Sequence, residues 1–595
     1  MINSRDFERC IYKKPKLFDD REPISRLIGI DSEAYGVDTE GHRKGEPFMF
    51  CTSLGDVFRP DDIPEMFFTP RYHYANFMVY NLKYDSGAFL YHLPASHLRE
   101  LRAQGETWYL GRSYEYIPHK RLRIQEEKIS VCFWDISQFY KMSLENAASR
   151  YLDRHKMDIA TKTFTPRYVR RFWKHISRYC ILDAKLTADL GKYLVDKLME
   201  FGIIPTNLYS CASVSFTYFC ANANIITSWK LWLNDRTALA YACDAYEGGK
   251  FEVTQRGSFD NAYEYDLTSA YPYEIANLVD INHARVSYSK QYDSSAVYGF
   301  IRCRIYNPKG IALPCGIMRN GIRMYPAGEY YLTITKEEYE YLLELNIDVT
   351  IHNAVWFHVR RKRYPYRKTI MGLFDIKSNV KGKDKMLYYV SKVVMNGFYG
   401  KCVQCIEQPD GKISIGAGWN PVYGAVITAN TRIKVTRMQN ILKDDCFAVH
   451  TDSIMSKRKL GPKYIRGGLG NFEEVSEACG SGVIIACGMY QIGKANAFKG
   501  FQPRHGETWK DILTRHKNQK SIPYKQLHVE SWVEAMAKGH EPSAINVFER
   551  SIKMVDLNCD TKRIWPRTVT GQNLLDGMES SLPKIHIESA PPNFW

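Results

Sequence analysis

The stretch Tyr263-Glu-Tyr-Asp-Leu-Thr-Ser-Ala-Tyr-Pro-Tyr-Glu274 decides how the rest of the chain is read. Tyr263 to Leu267 alternates as a strand does, and Pro272 followed by Tyr-Glu-Ile-Ala-Asn reads as a helix start. Asp266 therefore stands where a strand gives way to a turn, a common place for a metal-binding carboxylate. Downstream, Lys385 to Gly400 has helical periodicity and ends on glycine. Lys392, Asn396 and Tyr399 recur on it at intervals of four and three, so they can face one ligand. Cys446-Phe-Ala-Val-His-Thr-Asp-Ser-Ile-Met455 is apolar on both sides of a polar turn, a hairpin pattern that carries Asp452.

Upstream, Arg26-Leu-Ile-Gly-Ile30 is a short buried-strand signal leading into Asp31-Ser-Glu33. Two-residue spacing on a strand points both carboxylates to one face. Like charges held that close make most sense with a divalent cation between them. Phe77 to Asp85 is another apolar strand, running into Asn81 and Asp85. Arg178 to Thr187 is helical in pattern and puts Tyr179 and Asp183 on one face. Ala245-Tyr-Glu-Gly-Gly-Lys-Phe251 carries paired glycines, which let a backbone pass close to a ligand or adopt positive φ.

A chain of 595 residues exceeds one compact core, so about two to four domains or subdomains are expected. Apolar residues at 45% and aromatics at 13% indicate a packed globular protein. Lys and Arg number 81 against 65 Asp and Glu; a formal charge of +16 suits a polyanionic partner or simple solubility. Fifteen cysteines without regular spacing, and no signal-peptide pattern, predict free thiols in a reducing compartment. Cys402-Val-Gln-Cys405 has zinc-ligand spacing without a second pair to complete four ligands, so two cysteines in a strand after a helix is the favoured reading. No apolar run approaches the roughly 20 residues that span a bilayer, so a soluble protein is expected.

Three pieces, Asp31-x-Glu33, Asn81-x-x-Tyr-Asp85 and Tyr179-x-x-x-Asp183, resemble in order the exonuclease motifs of proofreading DNA polymerases. Asp266-Leu-Thr-Ser-Ala-Tyr-Pro272, Lys392-x-x-x-Asn396 with Tyr399-Gly400, and His450-Thr-Asp-Ser453 resemble the three polymerase motifs of family B DNA polymerases. Ala270 replaces a usual Leu, Gly397 a usual Ser, and His450 the first Asp of the third motif. Tyr246-Glu-Gly-Gly249 resembles the template-contacting motif between the two halves. The ordered set is similar to the protein-primed polymerases of phages and linear plasmids.

This resemblance implies an α+β multidomain fold, an RNase H-like 3′-5′ exonuclease domain followed by a palm/fingers/thumb polymerase domain. The implied division is 1–200 exonuclease, 201–260 linker with the Tyr-x-Gly-Gly motif, 261–502 palm and fingers with an insertion near 300–360, and 503–595 thumb. It further implies template-directed DNA synthesis with proofreading, by two-metal phosphoryl transfer, from a terminal protein that offers a hydroxyl as primer. Mg²⁺, or Mn²⁺ in its place, would sit as two ions per active site: Asp31, Glu33, Asp85 and Asp183 in one, Asp266, Leu267 and Asp452 in the other. Tyr179 would orient the attacking water. Lys156, in His155-Lys-Met-Asp-Ile159, would stabilise phosphate charge, or is an ordinary surface lysine. Leu267, Tyr271, Lys392, Asn396 and Tyr399 would bind the nucleotide, with Tyr271 excluding a 2′-OH. Asn81, Tyr246, Gly248, Gly249, Tyr490 and Lys499 would contact DNA; Gly488 stands where a lysine is usual, and Lys494 or Lys499 is the substitute. His450 is open among metal ligand, DNA contact and structural neighbour. The room between Gly400 and His450 allows only a small second insertion, at Ile406 to Ile415.

The expected partners are primer-template DNA, dNTPs and the terminal protein, for a monomer in the cytoplasm (the bacterial host's, for a phage gene). Competing readings are a nucleic-acid-primed family B polymerase, a DNA-binding replication factor with a degenerate polymerase site, and a nuclease-only protein.

Overall fold

The computed structural model describes residues 2–17, 22–36, 45–62, 65–160, 164–408, 410–501, 503–504, 506–529, 532–539 and 548–588. The first sheet has eight strands. At its centre Leu27–Ala34 (β1) lies between Pro47–Thr52 (β2), antiparallel to it, and Asn76–Val79, parallel. Ile129–Asp135 follows in parallel, then three antiparallel strands. Leu82–Phe89 (α1) follows Asn76–Val79 after a break at Asn81. The 35-residue helix Pro166–Glu200 (α2) begins with Pro166 in its first turn and a Thr165 hydroxyl that accepts from the Tyr168 amide, both strong start signals. It crosses β1 so closely that a Cβ on Gly29 would stand 1.8 Å from the Ala184 carbonyl oxygen. That contact sets the depth at which α2 presents Tyr179 and Asp183.

After a helical connection, Lys250–Val253 (β3) and Gln255–Leu267 (β4) enter a second eight-stranded sheet, and Ala270–Asn277 (α3) follows at once. The insertion is a sheet of its own in the order Arg285–Ser289, Asp348–His358, Tyr298–Asn307, Ala327–Thr335, capped by Lys336–Glu344 (α4). A reciprocal Thr335/Glu338 capping box starts α4. Arg367–Val380 (α5) packs on Lys385–Cys402 (α6), which packs in turn on Cys211–Asn222. There Gly397 is required, because a Cβ would lie 2.7 Å from Ser215 Cβ. Pro421–Leu442 (α7) is buried along most of its length, and its apolar residues run all round it.

Cys446–Thr451 (β5) and Ser453–Ser456 (β6) form the expected hairpin, followed by Phe472–Ala486 (β7), Met489–Ile492 (β8) and Ala495–Phe498 (β9). The central sheet runs β3-β5-β6-β4-β7-β8-β9, with Met578–Ser580 also pairing with β4. The carboxyl-terminal part therefore folds back: after Met578–Ser580, the strand Ile585–Ile587 joins the insertion sheet in parallel with Ala327–Glu329. The hairpin Cys405–Glu407/Ile413–Ile415 is small, and Cys10–Ile11 pairs with it as a third strand. Cys402 is the last residue of α6 and Cys405 the first of that hairpin, so only one of the pair is in a strand. Among the described residues no helix is long and apolar enough to cross a membrane.

Gly29→Ala forces β1 and α2 apart. It should lower unfolding stability by about 1–3 kcal/mol and abolish whatever chemistry joins the two elements. Denaturant unfolding checks this; an unchanged midpoint would contradict the packing described.

Candidate active sites

The first site forms where β1, α1 and α2 meet. Asp31 and Glu33 share one face of β1, as their spacing predicts. Asp85 lies on α1 rather than on a strand. The apolar run stops at Val79 because Asn81 takes φ 88° and the Asp135 carboxylate, 53 residues further on, accepts the Leu82 amide at 3.0 Å. Asn81 itself is exposed, and its side chain makes no cap bond. Ser32 fixes Asp85 by donating its amide (3.0 Å) and hydroxyl (2.7 Å) to one carboxylate oxygen. Lys156 Nζ stands 2.5 Å from Asp183 Oδ2 and 5.0 Å from the centre of the Tyr179 ring, so it belongs to this cluster.

Four carboxylates thus face a single ammonium. Burial, and then the charges of Asp85, Asp183 and Glu33, hold Asp31 well above the ordinary carboxyl range. Burial followed by Asp183 lifts Glu33 to about 8, and burial lifts Asp85 to about 7. Burial also raises Asp183 against the pull of Lys156. Burial opposes the charge of Lys156, but Asp183 and Tyr179 hold its pKa above the usual lysine value. Asp183 Oδ1 is buried without a hydrogen-bond partner among the described residues. A site this rich in uncompensated carboxylates is suited to divalent cations, which supply the missing positive charge. Tyr84, the tyrosine of the Asn81-x-x-Tyr-Asp85 motif, is half-buried beside Glu33 and Asp85 and also lines it.

The second site lies at the end of β4. Asp266 pairs across the sheet with Ser453, and the Leu267 amide donates to the Asp452 carbonyl at 2.9 Å. Asp452 sits in a tight turn closed by its own amide on the His450 carbonyl (2.7 Å), with Thr451 at φ 56°. A β-branched residue at positive φ is strained, and such strain gathers where geometry matters more than stability. Gly249 explains how the turn is held: a Cβ there would lie 2.6 Å from Thr451 Cγ2. The adjacent Gly248 faces open space. Gly248 and Glu247 are fixed through their carbonyls by the buried guanidinium of Arg432 on α7, at 2.9 and 2.6 Å, and Arg432 also reaches the Glu338 carboxylate at 2.6 Å.

Burial, then Asp452, Glu264 and Glu473, raise Asp266 to about 7; burial raises Asp452. Lys392 is the cation whose field reaches both. Lys377 of α5 donates to the Ser269 hydroxyl at 3.0 Å and feels both Lys392 and Asp266. Glu264, Glu473 and Lys377 were not singled out by sequence. Glu264 was in principle legible, two residues before Asp266 on the same strand face. Lys377 comes from a helix whose docking the sequence does not announce. Tyr271 packs on Tyr399 with ring centres 4.6 Å apart, and the Tyr399 hydroxyl meets that of Tyr246. Asn396 is folded onto its own helix, donating to the Lys392 carbonyl at 2.7 Å.

His450 packs between Phe251 (5.8 Å) and Tyr490 (5.4 Å). Burial, then Lys562 and Lys499, lower its pKa to about 4, so the ring is neutral at pH 7. Its ring is held beside the turn by these two aromatic neighbours. Lys499 lies over Gly488, to whose carbonyl its amide donates at 2.9 Å; Lys494 instead binds the Glu477 carbonyl through its backbone, in the β8–β9 turn.

The family model of DNA polymerase type B, organellar and viral, matches residues 99–417. The chain belongs to this family. Among curated relatives, a DNA polymerase of Acidianus bottle-shaped virus (isolate Italy/Pozzuoli) is 23% identical over 420 residues, 63% of this chain and 61% of that protein. The primer-independent DNA polymerase PolB of Escherichia coli is 21% identical over 415 residues, 62% of this chain and 45% of that protein. The match therefore spans about three fifths of the first relative and under half of the second. Phi29 DNA polymerase complexed with primer-template DNA and incoming nucleotide superposes with a TM-score of 0.61 at 13% identity, covering 89% of this chain and 100% of that one. Its orthorhombic crystal form gives 0.59 at 14% identity, covering 89% and 98%. At such identity the likeness establishes the fold: an exonuclease-type domain followed by palm, fingers and thumb in an α+β multidomain chain.

Gly249→Ala should push the Thr451–Asp452 turn out of place. Whatever chemistry the second site supports should fall by about 10²-fold, while that of the first site keeps its rate; equal loss of both would contradict the local account.

Proposed function

We propose that the chain is a template-directed DNA polymerase with a 3′-5′ proofreading nuclease, each reaction having its own carboxylate site. The observation that carries the reading is the pair Asp266 and Asp452, half-buried together at the β4 end with Lys392 as the nearby cation. Mg²⁺ or Mn²⁺ held by Asp266, Asp452 and the Leu267 carbonyl would supply Lewis-acid stabilisation of phosphoryl transfer. Lys392 and Lys377 bind the triphosphate, Tyr271 closes the sugar side, and Tyr399 with Tyr246 borders the base pair. At the other site Asp31, Glu33, Asp85 and Asp183 would hold the ions, Tyr179 orients water and Lys156 neutralises phosphate charge. Asn81, Gly248, Gly249, Tyr490 and Lys499 lie along the DNA path in this reading. We assign residues 1–200 to the nuclease, 201–260 to the linker, 261–502 to palm and fingers, and 503–595 to the thumb, except that β3 and the start of β4 lie in the central sheet, and Met578–Ser580 and Ile585–Ile587 return to the central and insertion sheets.

Initiation from a terminal protein is the first reading of priming, supported by the insertion sheet beside Tyr246-Glu-Gly-Gly249. A second reading, start of synthesis with no primer, is favoured by the name of the Escherichia coli relative. Incubating the protein with single-stranded template and labelled dNTPs separates them, since unaided product formation supports the second.

Asp452→Ala should reduce extension by at least about 10³-fold and spare the nuclease, and Asp31→Ala with Glu33→Ala should do the reverse. Loss of both activities in either protein would overturn the two-site model. Protons compete with the cation for Asp266, whose carboxyl stands at about 7 without it. The Mg²⁺ concentration for half-maximal extension should therefore fall as pH rises from about 6 to about 8; a requirement that rises with pH would contradict this.

A further inference from the structure

One side chain at the first site has no part in the reaction proposed for it. Cys180 follows Tyr179 on α2, is 0% exposed, and donates its thiol to the Asp31 carbonyl at 3.4 Å. Its Sγ and one carboxylate oxygen each of Asp31 and Glu33 all lie within 4.8 Å of one another. Among the described residues no other group of three such donors is this close. Asp183, three residues further along α2, keeps one buried oxygen without a partner. These donors are mixed in kind: oxygens suit hard cations, and a thiolate selects thiophilic ones.

We propose that this cluster is also a carboxylate–thiolate site for a thiophilic divalent cation, Zn²⁺ or Cd²⁺, bound through Asp31, Glu33 and Cys180. Zinc–oxygen bonds of about 2.0–2.2 Å and a zinc–sulfur bond of about 2.3 Å set three ligand atoms of one ion roughly 3.5 Å apart, inside the 4.8 Å limit within which these donors already stand. On binding, the S–H bond breaks, its proton goes to solvent, and the sulfur electron pair forms the metal–sulfur bond. Cys51 lies opposite Asp31 on β2 and is buried too, but it is outside the three-donor group. The effect on hydrolysis rests on the nuclease reading: such an ion would displace Mg²⁺ and silence the nuclease, while extension continues at the Asp266–Asp452 site.

The test is a Cd²⁺ titration of the metal-free full chain without DNA, followed by the ultraviolet thiolate-to-cadmium charge-transfer band. With fifteen cysteines present, the informative quantity is the difference between proteins. Cys180→Ser should lose one equivalent of the band, Asp31→Asn with Glu33→Gln should lose the same equivalent with the thiol intact, and Cys51→Ser should keep it. In parallel, the Cd²⁺ concentration that halves each protein's own Mg²⁺-dependent nuclease rate should rise by about ten-fold or more in Cys180→Ser. Cys180→Ala serves if the serine variant does not fold, and the carboxylate double variant tests the site without touching the thiol. An unchanged band in Cys180→Ser, or a Cys180-dependent band that survives loss of both carboxylates, would overturn the proposal. A protein with the predicted band but no hydrolysis of 3′ ends in Mg²⁺ would keep this site and lose the nuclease reading instead.

Discussion

Carboxylates held together against their own repulsion are what the rest of this structure supports. Asp31, Glu33, Asp85 and Asp183 form one group with Lys156 as counter-charge, and Asp266 and Asp452 form the other with Lys392. Each group is partly or wholly buried, so each destabilises the fold until a cation joins it. The scaffold resists that repulsion with backbone. The β1–α2 contact fixes one cluster from two sides, and the strained His450–Asp452 turn fixes the other.

Both clusters rely on a glycine that lets backbones close in. Gly29 admits the Ala184 carbonyl, and Gly249 admits the Thr451 side chain. These are packing constraints with a chemical purpose, because a methyl group at either place would move a carboxylate-bearing element. Arg432 extends the constraint to the insertion: one buried guanidinium joins Glu338 of α4 to the carbonyls of Glu247 and Gly248. The insertion is thereby coupled to the turn that carries Asp452 rather than appended to it.

What the sequence disclosed follows local periodicity. Asp31 with Glu33, Tyr179 with Asp183, and Lys392 with Tyr399 share faces because strand and helix periods dictate it, and the Cys446–Met455 hairpin announces its turn. What it hid depends on contacts across long stretches of chain. Asp85 was expected after a strand, but a carboxylate from Asp135 starts a helix there. Lys377 reaches the second site only through the docking of α5, and Cys180 enters the first only because α2 crosses β1. The return of Met578–Ser580 and Ile585–Ile587 to two separate sheets has no local signature either. The packing of His450 between Phe251 and Tyr490 is likewise a long-range contact that its spacing does not announce.

The central claim is that one chain both extends and trims a DNA 3′ end. A labelled primer annealed to a longer template, incubated with the purified protein and Mg²⁺, tests it most directly. The account predicts lengthening with dNTPs and shortening without them. Shortening under both conditions, with Mn²⁺ also tried, would contradict it and leave a nuclease built on a polymerase fold.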